Sequence, residues 1–482
     1  MPIRGREAAA LSVGVVLLVA AFAVPHLGLG TLTPIINSTP ERVRAFADTA
    51  PIFGWWEAHV GWGTVPALLI AAAVVRWGPD VAGRLRWRSL VGLTWATSLL
   101  WAFSLAMVDG WERGFAGRLT ARHEYLRQVP TITDIPEAVR TFSARILDFQ
   151  PDSWITHVSG HPPAALLSFV WLDRIGLGGG AWAGLFCLLV GSSAAAAIII
   201  AIRAVADEAT ARLAAPFVAV APTAIWIAVS ADGYFAGVAA WGIALLALAV
   251  HGRPRRAVPG GGGGGRGGGG GGGGGAPARR GPGGPGGGGR AGPGAGLLLG
   301  WGIFLNYGIG LIALPAVAVL LTATDRRSAL RALVPAVIAA LAVVAAFYAA
   351  GFWWFDGYHL VQERYWQGIA NDRPFQYWVW ANLASTVCAI GLGSVAALGH
   401  VFDARALRRR SGLHLLLTGA LLSIILADLS MLSKAETERI WLPFTVWLTA
   451  AGALLPPRSH RWWLALNVVG ALAINHLILT NW

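Results

Sequence analysis

Residues 181–202 read AWAGLFCLLVGSSAAAAIIIAI. No charge interrupts this run. At about 1.5 Å of rise per helical residue, it is long enough to cross a hydrocarbon core roughly 30 Å thick. Comparable runs lie near 8–28, 61–75, 90–108, 163–177, 213–229, 235–250, 296–322, 331–350, 379–399, 412–428, 440–455 and 462–480. Together they predict an all-α polytopic membrane protein of roughly 11–13 transmembrane helices. Across the 482 residues, 55% are apolar and 13% are charged. That charged share is about half that of an ordinary soluble protein. It excludes a soluble globular enzyme, a disordered chain and a nucleic-acid-binding domain. Cys187 and Cys388 fall inside apolar runs and read as small buried residues.

The formal net charge is +13. Seven arginines between Arg253 and Arg290 sit in a Gly-rich stretch with no acid among them. Residues 252–296 therefore read as a disordered cytoplasmic linker. It separates an N-terminal module, 1–251, from a C-terminal module, 297–482. Basic short loops at 76–88, 326–331, 405–410 and 458–461 mark the cytoplasmic side. The charge-balanced, aromatic loops 109–162 and 351–378 then belong outside, with 429–439. The run 8–24, behind Arg4 and Arg6, reads as a retained signal anchor. The middle of this topology closes only if one segment fails to cross. The stretch 296–322, with Asn306-Tyr307-Gly308 in its centre, suggests a hairpin of two half-helices. The Arg, Ala and Gly bias fits a GC-rich bacterial genome, hence a bacterial plasma membrane.

Secondary transporters usually hold ionisable groups at mid-membrane. Here such groups gather in the outer loops, which places the chemistry at the extracytoplasmic face. The first loop carries Asp109-Gly110, then His123-Glu124-Tyr125, and ends His157-Val158-Ser159-Gly160-His161-Pro162-Pro163. Asp109 also reads as a helix C-terminal turn, and Glu124 as a solvated charge. Val139, Phe142, Ile146 and Phe149 are spaced for an amphipathic surface helix over 136–149. His157 and His161 stand four apart, a metal spacing, but Gly160 and Pro162 oppose a helix there. Asp232, in Ser230-Ala231-Asp232-Gly233-Tyr234, is either a helix cap or a pocket acid. The second loop is dense in aromatics and ends with Arg373-Pro374-Phe375. A third stretch, Ser433-Lys434-Ala435-Glu436-Thr437-Glu438-Arg439, holds the single lysine. Lys434 and Arg439 read either as phosphate ligands or as interface anchors.

Taken in order, His161-Pro162-Pro163, Ala221-Pro222 leading to Asp232, Arg373-Pro374-Phe375 and Glu436-Thr437-Glu438-Arg439-Ile440-Trp441 resemble the GT-C superfamily of membrane glycosyltransferases. The pattern is similar to protein O-mannosyltransferases, lipid A aminoarabinose transferases, and actinobacterial arabinofuranosyl- and mannosyltransferases. The resemblance implies a polyprenyl-phosphate sugar donor and an outer-face hydroxyl on a cell-wall glycan, lipid or protein. It implies membrane lipids as the surroundings and no nucleic acid as partner. Glu124 or Asp109 would supply the catalytic carboxylate, with Glu124 the preferred base. Arg373, Lys434 and Arg439 would bind the donor phosphate. Asp232, His161, Tyr125 and Glu438 would line the sugar pocket. No cofactor is specified and no metal ligand is assigned, though a divalent metal is compatible. Two rivals remain: a flippase or transporter of a lipid-linked sugar, and a non-catalytic membrane scaffold.

Overall fold

The computed structural model describes residues 5–34, 49–252 and 290–481. Most of the expected linker, 253–289, lies outside the described residues. Its expected end at 296 is earlier in the structure, because a helix starts at Ala291. The fold is helical, with a single short strand pair among the described residues, Gly54–Trp56 antiparallel to Ile478–Thr480.

Seven of the thirteen apolar runs form helices long and apolar enough to cross a membrane: Gly5–Leu27, Thr64–Arg84, Trp87–Ala106, Gly180–Val205, Ala231–His251, Arg326–Ala349 and Gly412–Leu429. The protein is a multi-pass membrane protein. The Arg326–Ala349 helix leaves Val334, Ile338 and Leu341 exposed, as a lipid-facing helix does. The Gly180–Val205 and Ala231–His251 helices pack at the centre and are mostly buried.

The other six runs are shorter, broken or less apolar, so fewer full-length spans form than the run count suggests. Each break has a local cause. The span beginning at Phe375 turns by 111° at Gly391, whose φ is +82°. Asn467 Oδ1 accepts the freed N–H groups of Gly393 and Ser394 at 2.7 and 3.3 Å. Broken helices persist in a membrane only where such partners satisfy the backbone. Helix Glu208–Ala219 stops before Pro222, and Trp101 Nε1 donates to the released Ala221 carbonyl at 3.1 Å.

The half-helix hairpin is present. Ala291–Ile303 rises along the Arg326–Ala349 helix, with Gly292, Gly296 and Gly300 against Ala332, Ala336 and Ala340. Small residues every fourth position let the two backbones approach closely. The chain reverses at Asn306, whose side chain accepts the Gly308 N–H at 2.7 Å. It returns to Thr322, which bonds His251 at 2.8 Å.

The non-crossing segment is Pro163–Arg174, only 12 residues long. At its start Ala164 N–H donates to Phe304 O at the hairpin tip. At its end Arg174 donates to Ile132 O and Thr133 O in the first large loop. With it, the helix ends sort into two groups. One end is basic, tied by Arg461–Asp80 at 2.7 Å, Arg6–Asp403 at 3.3 Å, and Arg203 and Arg212 on Glu208. The other end carries the large loops and the strand pair.

The loop segment 136–149 is not one amphipathic helix. A single turn and a half, Ile135–Arg140, is capped by Asp134 and followed by a tighter turn. Val139, Phe142 and Ile146 point inward, Phe142 against Trp154 and Phe352, while Phe149 is left exposed. Both cysteines are buried and free.

Candidate active site

At the loop end, Ser230 begins the Ala231–His251 helix. Its Oγ accepts the Gly233 N–H at 3.0 Å and donates to Trp226 O at 2.6 Å. Ser230 therefore does the capping. The Asp232 carboxylate, in the first turn of the helix, faces Arg439 instead, with Oδ2 2.6 Å from Nη1. Both side chains are buried.

Arg439 sits on the short turn Thr437–Ile440, and its Nη2 donates to Glu436 Oε2 at 3.0 Å. The other oxygen of Glu436 accepts from Arg373 Nη2 at 3.1 Å. Arg373 Nη1 in turn donates to the Lys434 carbonyl, and Lys434 Nζ donates to the Arg373 carbonyl at 2.9 Å. The Lys434 ammonium lies 4.6 Å from the Trp366 ring centre, a cation–π contact. A chain of alternating charge thus runs Asp232, Arg439, Glu436, Arg373, with Lys434 beside it.

The backbone that presents Glu436 is unusual. Ala435 and Glu436 have φ of +70° and +61°. Neither is glycine, so this left-handed pair must be held by its surroundings. Asn382 is one holder: its Oδ1 accepts the Ala435 N–H, and its Nδ2 donates to Ser433 O and to Asp428 Oδ1. Tyr365 Oη accepts the Lys434 N–H at 3.0 Å.

The first loop reaches the same place. Glu124 is buried, with Oε1 2.9 Å from His157 Nδ1. Burial pushes its carboxyl up, but His157, Arg439 and His161 outweigh this and leave it below the usual glutamate range. Burial holds the His161 imidazole down at about 4, against the pull of Asp232. His161 Nδ1 is 2.7 Å from His157 O, and its ring packs on Tyr125 and Phe235. Tyr125 Oη is buried without a hydrogen-bond partner among the described residues. Glu436 is likewise held below the usual range: burial raises it, and Arg373 and Arg439 more than reverse that. Burial also pushes Lys434 down, helped by Arg373.

Two expected members stand apart from this chain. Asp109 belongs to a neighbouring cluster, 2.9 Å from His59 Nε2, 3.1 Å from Arg118 Nη2 and 3.4 Å from Arg113 Nε. The arginines also donate to Thr480 O, tying this cluster to the strand pair. Burial lowers Arg118 to about 10, with Asp109 and Glu124 both opposing the shift. Glu438 points toward the 49–53 segment, where its Oε1 accepts the Phe53 N–H at 3.0 Å. Its Oε2 is buried without a partner among the described residues, and burial pushes its carboxyl up to about 7.

Glu436 and Asn382 carry no role in the sequence expectation, and His157 appears there only as a metal spacing. A signal for Glu436 existed: it stands one helical turn before Arg439, where i, i+3 side chains meet. Asn382 had none, since it lies inside an apolar run. Among the described residues, no three His, Cys, Asp or Glu side chains stand close enough to share a metal ion. Asp232 and Glu436 are turned to guanidinium groups.

The chain matches no protein-family profile and no curated protein. Among solved structures it is similar to the oligosaccharyltransferase of Archaeoglobus fulgidus. Against its apo form the TM-score is 0.46 at 14% identity, covering 77% of this chain and 50% of that one. Against its complex with Zn and sulfate the TM-score is 0.42 at 14% identity, covering 81% and 53%. Against its complex with an inhibitory peptide and a dolichol-phosphate the TM-score is 0.37 at 12% identity, covering 76% and 49%. The chain spans about half the length of these structures. So distant a likeness assigns no role to any residue.

Proposed function

We propose that the chain is a GT-C-type membrane glycosyltransferase. It would move a sugar from a polyprenyl-phosphate donor to a hydroxyl on a cell-wall glycan, lipid or protein, at the extracytoplasmic face of a bacterial plasma membrane. One observation carries this reading. Side chains from four distant segments, at 124, 232, 373 and 434–439, meet as buried charges at one end of the spans. Buried charge of this kind is costly, so a structural role alone is a poor reason for gathering so much of it.

The chemistry follows from the parts. Transfer breaks the bond between the sugar C1 and the phosphate oxygen, and the electron pair goes to the phosphate. Positive charge at that oxygen stabilises the transition state, and Arg373, Lys434 and Arg439 supply it. The acceptor oxygen bonds to C1 as its proton passes to a carboxylate. Glu124, held below the usual range, is ionised at neutral pH and takes that proton beside His157. Attack opposite the leaving phosphate inverts the anomeric centre. Asp232 orients Arg439, and Tyr125 with neutral His161 forms an aromatic wall beside the sugar. Asp109 acts from its own cluster, through Arg118, as a positioning residue.

The test is incubation of the purified full chain with a panel of polyprenyl-phosphate sugars and cell-wall acceptors, reading sugar release. Transfer that disappears in Glu124→Gln, with expression unchanged, supports the assignment. Full activity in that variant overturns it. A flippase would move the lipid across vesicles without releasing sugar.

A further inference from the structure

Glu436 touches both arginines of the proposed phosphate site. Oε1 is 3.1 Å from Arg373 Nη2 and Oε2 is 3.0 Å from Arg439 Nη2. Two oxygens of one anion between two guanidinium groups is also how a phosphate is gripped. Carboxylate and phosphate therefore compete for the same donors. The charges named here balance as they stand: Glu124, Asp232 and Glu436 against Arg373, Lys434 and Arg439. A phosphate added to this buried set brings negative charge that is costly unless one acid moves out.

Of the three acids, Glu436 is placed to leave. Its side chain is 16% exposed, against 7% for Glu124 and 2% for Asp232. Its backbone is left-handed, as is that of Ala435 before it. Asn382 and Tyr365 pin the backbone from Ser433 to Ala435, and the Glu436 carbonyl accepts from the Arg439 and Ile440 N–H groups, so the exchange is a movement of the Glu436 side chain.

We propose that Glu436 is an exchangeable anion. It takes the phosphate's place between Arg373 and Arg439, is displaced by the donor phosphate, and returns to expel the polyprenyl phosphate product. This rests on the glycosyltransferase reading above and adds a residue that sets phosphate affinity and product release. The donor phosphodiester carries one negative charge, and the product monoester carries up to two. The product is therefore held more tightly by the arginines, and a built-in competitor shortens its stay.

The experiment measures binding of farnesyl phosphate, farnesol and inorganic phosphate to the purified full chain in detergent. Wild type is compared with Glu436→Gln and Glu436→Asp. Glu436→Gln is expected to bind farnesyl phosphate about tenfold more tightly. Glu436→Asp, too short to bridge both arginines, should fall between it and wild type. Farnesol should bind all three alike. Inorganic phosphate that competes fully would place the recognition in the phosphate alone, and weak competition would assign part of it to the lipid tail; either agrees with the exchange. In turnover, Glu436→Gln should lower donor KM and kcat together, as slow product release requires. Equal or weaker binding of farnesyl phosphate by Glu436→Gln overturns the exchange while leaving the phosphate site in place. Farnesyl phosphate that binds no better than farnesol to any variant overturns the phosphate site itself. Should Glu436→Gln not fold by size exclusion, Glu436→Asp decides. Failure of both to fold would make Glu436 a structural keystone and overturn the proposal.

Discussion

Arg439 Nη1 lies 2.6 Å from Asp232 Oδ2, and the two buried side chains tie the first turn of a central span to the loop after Gly412–Leu429. Removing one partner leaves a charge without its counter-ion in a dry place. Arg439→Gln should cost about 3–5 kcal/mol of stability. The double variant Asp232→Asn with Arg439→Gln should recover part of that loss. Unfolding midpoints in detergent test both, and additive losses would show that the two groups are not coupled.

Two carboxylates compete for the role of base, and their surroundings separate them. Glu124 shares the site with His157, His161 and Arg439. Asp109 is engaged by His59, Arg113 and Arg118. Glu124→Gln should reduce transfer by a factor of about 100 or more. Asp109→Asn should cost no more than about tenfold. Initial rates of sugar release in matched preparations decide, and the reverse order would move the base to Asp109.

Glu438 makes stability depend on pH. Its folded carboxyl is raised to about 7 from an ordinary 4.5. Between those values the folded chain binds the proton and the unfolded chain does not, so stability falls as pH rises through that window. The loss amounts to roughly 3 kcal/mol. Glu438→Gln removes this term, so its advantage in melting temperature over wild type should grow from pH 5 to pH 8 and then level. Glu124 and Glu436 act in the opposite sense: their stabilisation is present above the ordinary carboxyl range and is lost as pH falls below it.

The hairpin rests on close backbone approach. A side chain at Gly296 would collide with Ala336 O of the neighbouring helix. Gly296→Val should therefore abolish folding or push the two helices apart, read as aggregation on size exclusion. Gly294→Ala, which meets only the Leu245 side chain at 3.2 Å, should be tolerated.

Much of the site was written in short local patterns. Asp232 stood out as an acid between apolar runs, and Arg439 and Lys434 as cations at a span mouth. Their joining was not readable, because 207 positions separate Asp232 from Arg439. Glu438 and Glu436 look alike in sequence, both acids beside Arg439. The left-handed backbone at 435–436 turns Glu436 to the arginines, while Glu438 meets the Phe53 N–H. Asp109 is the first acid of the large loop, but His59 and the two arginines claim it.

The helical character of the chain and its place in a membrane follow from the sequence alone, since lipid demands long uncharged runs with every backbone group bonded within them. The hairpin at 296–322 was readable for the same reason: an apolar run too long for one span, broken by Asn306-Tyr307-Gly308. Tertiary structure decided which runs cross whole, because a break at Gly391 is tolerated only when Asn467 arrives to accept the freed N–H groups. It also decided which charges meet. Ion pairing depends on distance in space, and hydropathy along the chain carries no record of that distance.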